Sequence, residues 1–252
     1  GTFEVELTFL QFDRGVGIFG CNEHTVFSSF DFASAVRPGI CVGSVNTSLA
    51  APTGGAYNMA LNTDIFVHVW RAVFRQEAWA RSEWTVKIDP DTVFLPMRLR
   101  ATVAVPPVRS AASKPLGVFL NNCRIGNHGP LEVVSRSAAF ALQDGIDDCI
   151  REDFAPFNQI GEDVFLRRCL RHRGVATLDR FDLLSEINCF SNPGPCTSRN
   201  VAFHPFKDAQ SFRACLDGAS LRSSRCRDSG CTIGYEPQRS CQCTAQCESF
   251  GN

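Results

Sequence analysis

Along Trp84-Thr85-Val86-Lys87-Ile88 apolar and polar side chains alternate with a period of two, which predicts a strand with Trp84, Val86 and Ile88 on one face and Thr85 and Lys87 on the other. Pro90 has no N–H to give and holds Asp89 extended, so the ladder ends there. Asp89 and Asp91 are thereby delivered at the carboxyl end of a strand, where open α/β sheets place ligands. The preceding stretch changes period: Ile65, Phe66, Val69, Trp70, Val73, Phe74 and Glu77 follow helical spacing behind Asn62 or Thr63 as N-cap. His68 is read as a partly exposed residue of that helix and not as a ligand.

Residues 3–13 fit either helix or strand and are taken as helix; Val16 to Gly20 reads as a buried strand. On that reading the chain opens with the helix of a βα unit whose first strand is absent, as expected of a fragment. Gly15-Val16-Gly17-Ile18-Phe19-Gly20 formally matches G-x-G-x-x-G, but no helix start follows at Cys21, so the glycines are assigned to the strand and its entry turn. Residues 36–60, rich in Gly and Pro, predict a long surface segment. Further strands are expected at Ala101–Val105, stopped by Pro106-Pro107, at Leu116–Leu120, and in the stretch after Gly126 that leads to a helix capped near Ser135 and running over Ala138–Ile150. Gly161-Glu162-Asp163 opens another helix that Gly174 ends, after which Val175–Leu178 returns to the sheet. Alternating strands and helices predict an α/β fold with a mainly parallel sheet flanked by helices.

At 252 residues the chain can bury a sizeable core. With 25 basic against 26 acidic residues, nothing marks a nucleic-acid surface, and no apolar run reaches the length of a membrane span. The first residues lack a signal-peptide pattern, so any targeting segment is expected to lie outside this chain. Thirteen cysteines favour an oxidising secretory lumen (Golgi or ER) or the extracellular space, and the glycosylation pattern Asn46-Thr47-Ser48 agrees. Cys123, Cys149, Cys169, Cys189, Cys196 and Cys215 are expected to bridge within the larger domain, in pairings that sequence leaves open.

Several motifs, in order, resemble the fold-A (GT-A) glycosyltransferases over about residues 15–215. Asp89-Pro90-Asp91 looks like their Asp-x-Asp signature, and Gly129-Pro130-Leu131-Glu132-Val133-Val134-Ser135-Arg136 is similar to the segment bordering the donor sugar. Gly161-Glu162-Asp163-Val164-Phe165-Leu166 resembles the Glu-Asp-Val motif of inverting beta-1,3 transferases, and Val201-Ala202-Phe203-His204-Pro205-Phe206-Lys207 the late His segment. The resemblance implies a divalent cation, Mn²⁺ or Mg²⁺, held by Asp89, Asp91 and His204. Gly129 would lie beside a nucleotide-sugar donor, a UDP-sugar foremost, and Lys207 beside its diphosphate. Asp163 would serve as base toward an acceptor hydroxyl, with Glu162 as the substitute candidate. Carboxylates suit both tasks, as ligands of a hard cation and as bases charged at neutral pH.

Taken alone, each motif has a plainer explanation. Asp-Pro-Asp is common in turns, acids in a first helical turn stabilise its positive end, and His204 before Pro205 fits a surface turn. Their joint order is what supports the transferase. No G-x-S-x-G or H-E-x-x-H occurs to support a serine hydrolase or a zinc protease.

Beyond Cys215 a polar stretch, 216–225, reads as a linker to residues 226–252. There Cys231, Cys241, Cys243 and Cys247 resemble in spacing the first half of a somatomedin-B module, with Cys226 to Cys231 one residue longer than that family has it. A partial disulfide-knotted module, suited to contacts with a protein partner, is expected. The function expected is thus an extracytoplasmic, metal-dependent glycosyltransferase acting on a carbohydrate or glycoprotein. The alternative is a non-catalytic extracellular structural or carbohydrate-binding protein with the same fold.

Overall fold

The computed structural model describes residues 3–30, 39–45, 47–55, 58–152, 159–189 and 193–228. Asn46 and the cysteine-rich residues 229–252 lie outside them. The helices are α1 (Phe3–Arg14), α2 (Thr63–Gln76), α3 (Ala78–Arg81), α4 (Pro96–Val103), α5 (Pro106–Ala112), α6 (Arg136–Arg151), α7 (Glu162–His172) and α8 (Ala209–Asp228). The strands are β1 (Val26–Phe27), β2 (Val42–Gly43), β3 (Thr53–Gly54), β4 (Met59–Ala60), β5 (Trp84–Ile88), β6 (Val93–Phe94), β7 (Val118–Asn121), β8 (Leu131–Ser135), β9 (Ala176–Asp179), β10 (Leu184–Ser185) and β11 (Ala202–Phe203).

The fold is α/β, with a central sheet in the order β5-β8-β7-β9. The expectation of a mainly parallel sheet needs correcting for this sheet, where β8 pairs antiparallel with both β5 and β7 and only β7 and β9 pair in parallel. The reason lies in the connection between β7 and β8, residues 122–130, which contains no helix and is too short for a parallel crossover. Strands β5, β7 and β9 therefore run one way. Their carboxyl ends share one edge with the start of β8 and the first turn of α7.

Both faces of the sheet are covered. On one, α2, α6 and α7 pack Trp70, Phe74, Leu142, Phe165 and Leu170 against Phe119 and Val134. On the other, Leu99 of α4 and Val108 of α5 meet Val118, Leu120, Leu131 and Val133, with Trp84, Val86 and Ile88 beside them. The alternation read from β5 thus holds, with Lys87 turned toward α2 and α7, where its ammonium stands 4.6 Å from the centre of the Phe66 ring. A third cluster joins Leu7 and Leu10 of α1 to Phe212 and Leu216 of α8.

Two further expectations change. Val16–Gly20 is no strand: Gly17–Gly20 forms a 3₁₀ turn, entered through Gly15 and Gly17 at φ 60° and 61°. Ala101–Val105 is not a strand either. Pro96 and Pro106 occupy first-turn positions and start α4 and α5, where a missing N–H costs nothing. The stretch 216–225 continues α8.

The six cysteines expected to bridge do so, as Cys123–Cys189, Cys149–Cys169 and Cys196–Cys215. The first closes a separation of 66 residues, which in the chain-entropy picture restricts the unfolded state by about 4 kcal/mol. Bridges of this kind suit an oxidising compartment. Among the described residues no helix is long and apolar enough to cross a membrane.

Candidate metal centre

Three short strands assemble the centre. β6 begins two residues after Asp91, β11 ends just before His204, and the two pair antiparallel with Val93 opposite Phe203, which sets Asp91 beside His204. β10 pairs in parallel with β11, Ser185 opposite Phe203, so Glu186 also reaches His204. Ligand atoms of Asp89, Asp91 and His204 all lie within 4.8 Å of one another. These are the three residues singled out in the sequence. Gln11 of α1 donates to the carbonyl of Pro90 at 2.9 Å and steadies the turn between the acids.

The centre borders a cleft of about 2200 Å³, lined among others by Asp89, Asp91, His204, Lys207, Lys87 and Phe66. Ammonium groups already meet the acids. Lys87 Nζ stands 2.6 Å from Asp89 Oδ1 and 2.7 Å from Glu162 Oε1, and Lys207 donates to Asp91 Oδ2. The carboxylates thus draw positive charge, and with the imidazole they make an oxygen-rich set that fits Mn²⁺ or Mg²⁺.

Burial would push the Asp91 carboxyl up, but hydrogen bonds from His204 and Lys207 outweigh it and hold the group below the usual range. Burial dominates at Asp89, whose carboxyl is pushed up despite Lys87. Lys87 is itself buried, yet Asp89 and Glu162 keep its proton on and raise it above an ordinary lysine.

Behind the centre lies a sealed corner. Asp163, 4% exposed, accepts from Gly129 N–H at 3.2 Å and from Val164 N–H at 2.7 Å, and its Oδ2 lies 3.3 Å from His128 Nδ1. Desolvation opposes its charge, but His128 prevails and the carboxyl sits below its ordinary value. Gly129 packs so tightly on the Lys87–Glu162 pair that a Cβ there would come within 2.7 Å of Glu162 Oε1. Gly129, Glu162 and Asp163 therefore stand together, joined to Asp89 through Lys87, while neither acid lines the cleft. The α2 and α7 starts are coupled too: Asn62 Oδ1 accepts from Glu162 N–H at 3.0 Å instead of capping its own helix.

Three residues of the corner were not singled out in the sequence. Glu186 is 2% exposed, with Oε1 2.9 Å from His204 Nδ1 and Oε2 2.7 Å from His128 Nε2. Burial notwithstanding, the two imidazoles lower Glu186 to about 2 and are themselves raised, His128 to about 10 and His204 to about 9. Glu132, 1% exposed, faces Lys87 across β5 and β8, and burial drives its carboxyl well up. A lone acid inside the apolar run Leu131–Val134 was a visible signal for Glu132. Glu186 had none, because its partners are remote in sequence. His128, Glu186 and Cys189 also cluster, but the Cys189 sulfur is committed to Cys123 and offers no thiolate.

No protein-family model matches the chain, and no curated protein matches it.

Proposed function

We propose that the protein is a metal-dependent glycosyltransferase of the GT-A type that moves a sugar from a nucleotide-sugar donor to an acceptor hydroxyl with inversion. One observation carries the reading: Asp89 and Asp91 from one turn and His204 from a remote part of the chain bring their ligand atoms within 4.8 Å at a large cleft. The common direction of β5, β7 and β9, with the centre at their carboxyl ends, agrees with it. A divalent cation, when bound, neutralises charge developing on the departing diphosphate. Lys207, whose side chain is 62% exposed, is free to turn toward the same phosphates.

The acceptor hydroxyl gives up its proton as its oxygen bonds to the anomeric carbon of the sugar; the resemblance implies Asp163 as the base, which must first leave Gly129 and His128 and turn to the cleft. The bond to the diphosphate breaks on the opposite face, and the nucleotide leaves with the electron pair. The lowered carboxyl keeps Asp163 ionised, as a base must be, but lessens its proton affinity, so release from His128 must accompany the step.

A second reading, carbohydrate binding without turnover, is favoured by the engagement of Asp163 with Gly129, His128 and Val164 away from the cleft. In either case protein contacts fall to the cysteine-rich residues 226–252. Calorimetric titration of UDP with and without Mn²⁺ tests the donor site. Metal-dependent binding by the wild type, weakened at least 100-fold by Asp91→Ala, is expected; metal-independent binding, or none by a well-folded protein, sinks the transferase assignment. Bound UDP-sugar that is never hydrolysed or transferred selects the second reading.

A further inference from the structure

One carboxylate touches both halves of the site. Glu186 is almost wholly buried, and its two oxygens go to two different imidazoles: Oε1 to His204, a member of the cation cluster, and Oε2 to His128, which leads on to Asp163. We propose that Glu186 is the positioning residue of the site, one oxygen orienting His204 toward the cation and the other holding His128 against Asp163. The inference rests on the metal-dependent reading above.

The geometry of each arm assigns a task. His204 Nδ1–H donates to Glu186 Oε1 at 2.9 Å, and its Nε2 lies 3.4 Å from Asp91 Oδ1, on the side of the cluster. An imidazole whose Nδ1 is tied in this way presents Nε2 to a cation, and loss of such a partner typically costs 10–100-fold in metal affinity. On the second arm His128 Nε2 stands 2.7 Å from Glu186 Oε2, a charge contact without hydrogen-bond alignment, and Nδ1 lies 3.3 Å from Asp163 Oδ2.

The backbone around Glu186 is braced for this role. The Cys189 N–H donates to the Glu186 carbonyl at 3.3 Å, and Cys189 is bridged to Cys123. Asn122, next to that cysteine, accepts from His128 N–H at 2.9 Å and donates to the His128 carbonyl at 2.8 Å. The disulfide therefore clamps together the loop that carries His128 and the turn that carries Glu186. Asn188 Nδ2 adds a hydrogen bond to Oε1 at 3.2 Å.

Glu186→Ala and Glu186→Gln separate orientation from bulk packing. The glutamine amide oxygen accepts from His204 Nδ1–H as the carboxylate does, whereas its NH₂ meets His128 Nε2–H donor to donor. Mn²⁺ titrated calorimetrically into the full chain should bind Glu186→Ala about 10–100-fold more weakly than wild type and Glu186→Gln within about threefold of it. Long-range ¹H–¹⁵N spectra should show His128 of Glu186→Gln without its Nε2 proton and His204 still protonated on Nδ1.

Wild-type Mn²⁺ affinity in Glu186→Ala, alongside a defective Asp91→Ala, overturns the inference and leaves the metal centre standing. A loss that glutamine does not restore also overturns it, since packing then explains the defect. If the wild type itself binds no Mn²⁺, the metal-dependent reading fails and takes the inference with it. Should Glu186→Ala not fold, wild type loaded with Zn²⁺ decides: His204 protonated on Nε2 in place of Nδ1 refutes the assigned orientation.

Discussion

Two groups of acids lie side by side in this protein and are treated differently. At the cleft, Asp91 meets an exchangeable cation, the Lys207 ammonium on a side chain 62% exposed, while its neighbour Asp89 meets the buried Lys87. In the corner, Glu132, Glu162 and Asp163 are closed off from solvent, with Lys87 and His128 among their counter-charges. An acid held by an exposed charge is open to a ligand, whereas acids held by buried charge are tied into the fold and reach a ligand only if that charge is displaced. Lys87 connects the groups, since its one ammonium contacts both Asp89 and Glu162.

The sharpest way to break the distinction is to remove that connection. Lys87→Met leaves Glu162 and Asp89 without their shared cation, and breaking a buried ion pair from one side costs about 3–5 kcal/mol. An unfolding free energy lowered by that amount is expected from denaturant titration, with partial recovery when Glu162→Gln is added. A change below about 1 kcal/mol would mean that the corner is not held by Lys87.

A smaller effect is expected from pH. The folded-state value of His128, about 10, lies above its ordinary value because hydrogen bonds and charge from Asp163 and Glu186 outweigh burial. A group raised on folding contributes stability that is fully present below its unfolded value, near 6.5, and lost as pH rises through the folded one. The wild type should lose on the order of 3 kcal/mol between pH 6.5 and 10 beyond whatever His128→Asn loses over the same range. Parallel stability curves for the two proteins would refute the buried counter-charge.

The two groups also differ in how legible they are in the sequence. Asp89, Asp91 and His204 could be found because each sits at the end of a short motif, and a sheet edge gathers strand ends. The corner depends on pairings remote along the chain, such as His128 with Glu186, for which no local spacing gives a sign. The helices α2, α6 and α7 were readable from apolar periodicity. By contrast α4 and α5 were obscured by Pro106-Pro107, which ends a strand or starts a helix equally well; Leu99 and Val103, four residues apart, held the helical clue. The direction of β8 was hidden because alternating strands and helices suggest parallel pairing, and only the helix-free connection before it says otherwise.

The mildest test concerns Lys207. Its ammonium contacts the buried Asp91 and stands 5.1 Å from the centre of the Phe3 ring. The lysine side is 62% exposed, however, and His204 also holds Asp91, so loss of this one screened partner costs at most about 1 kcal/mol. Lys207→Ala should therefore leave the unfolding free energy within that margin. Donor binding should respond differently, because a diphosphate carries charge into the place where the ammonium can turn from Asp91 to phosphate oxygens. UDP affinity in the presence of Mn²⁺ is expected to fall about tenfold, the equivalent of one charge-assisted hydrogen bond, while Mn²⁺ affinity without UDP should hold or rise as a competitor for Asp91 is removed. If Lys207→Ala instead unfolds the protein and leaves UDP binding intact in the folded fraction, then Lys207 is a structural cation like Lys87, and the distinction between exchangeable and fixed charge falls at the residue where it should be clearest.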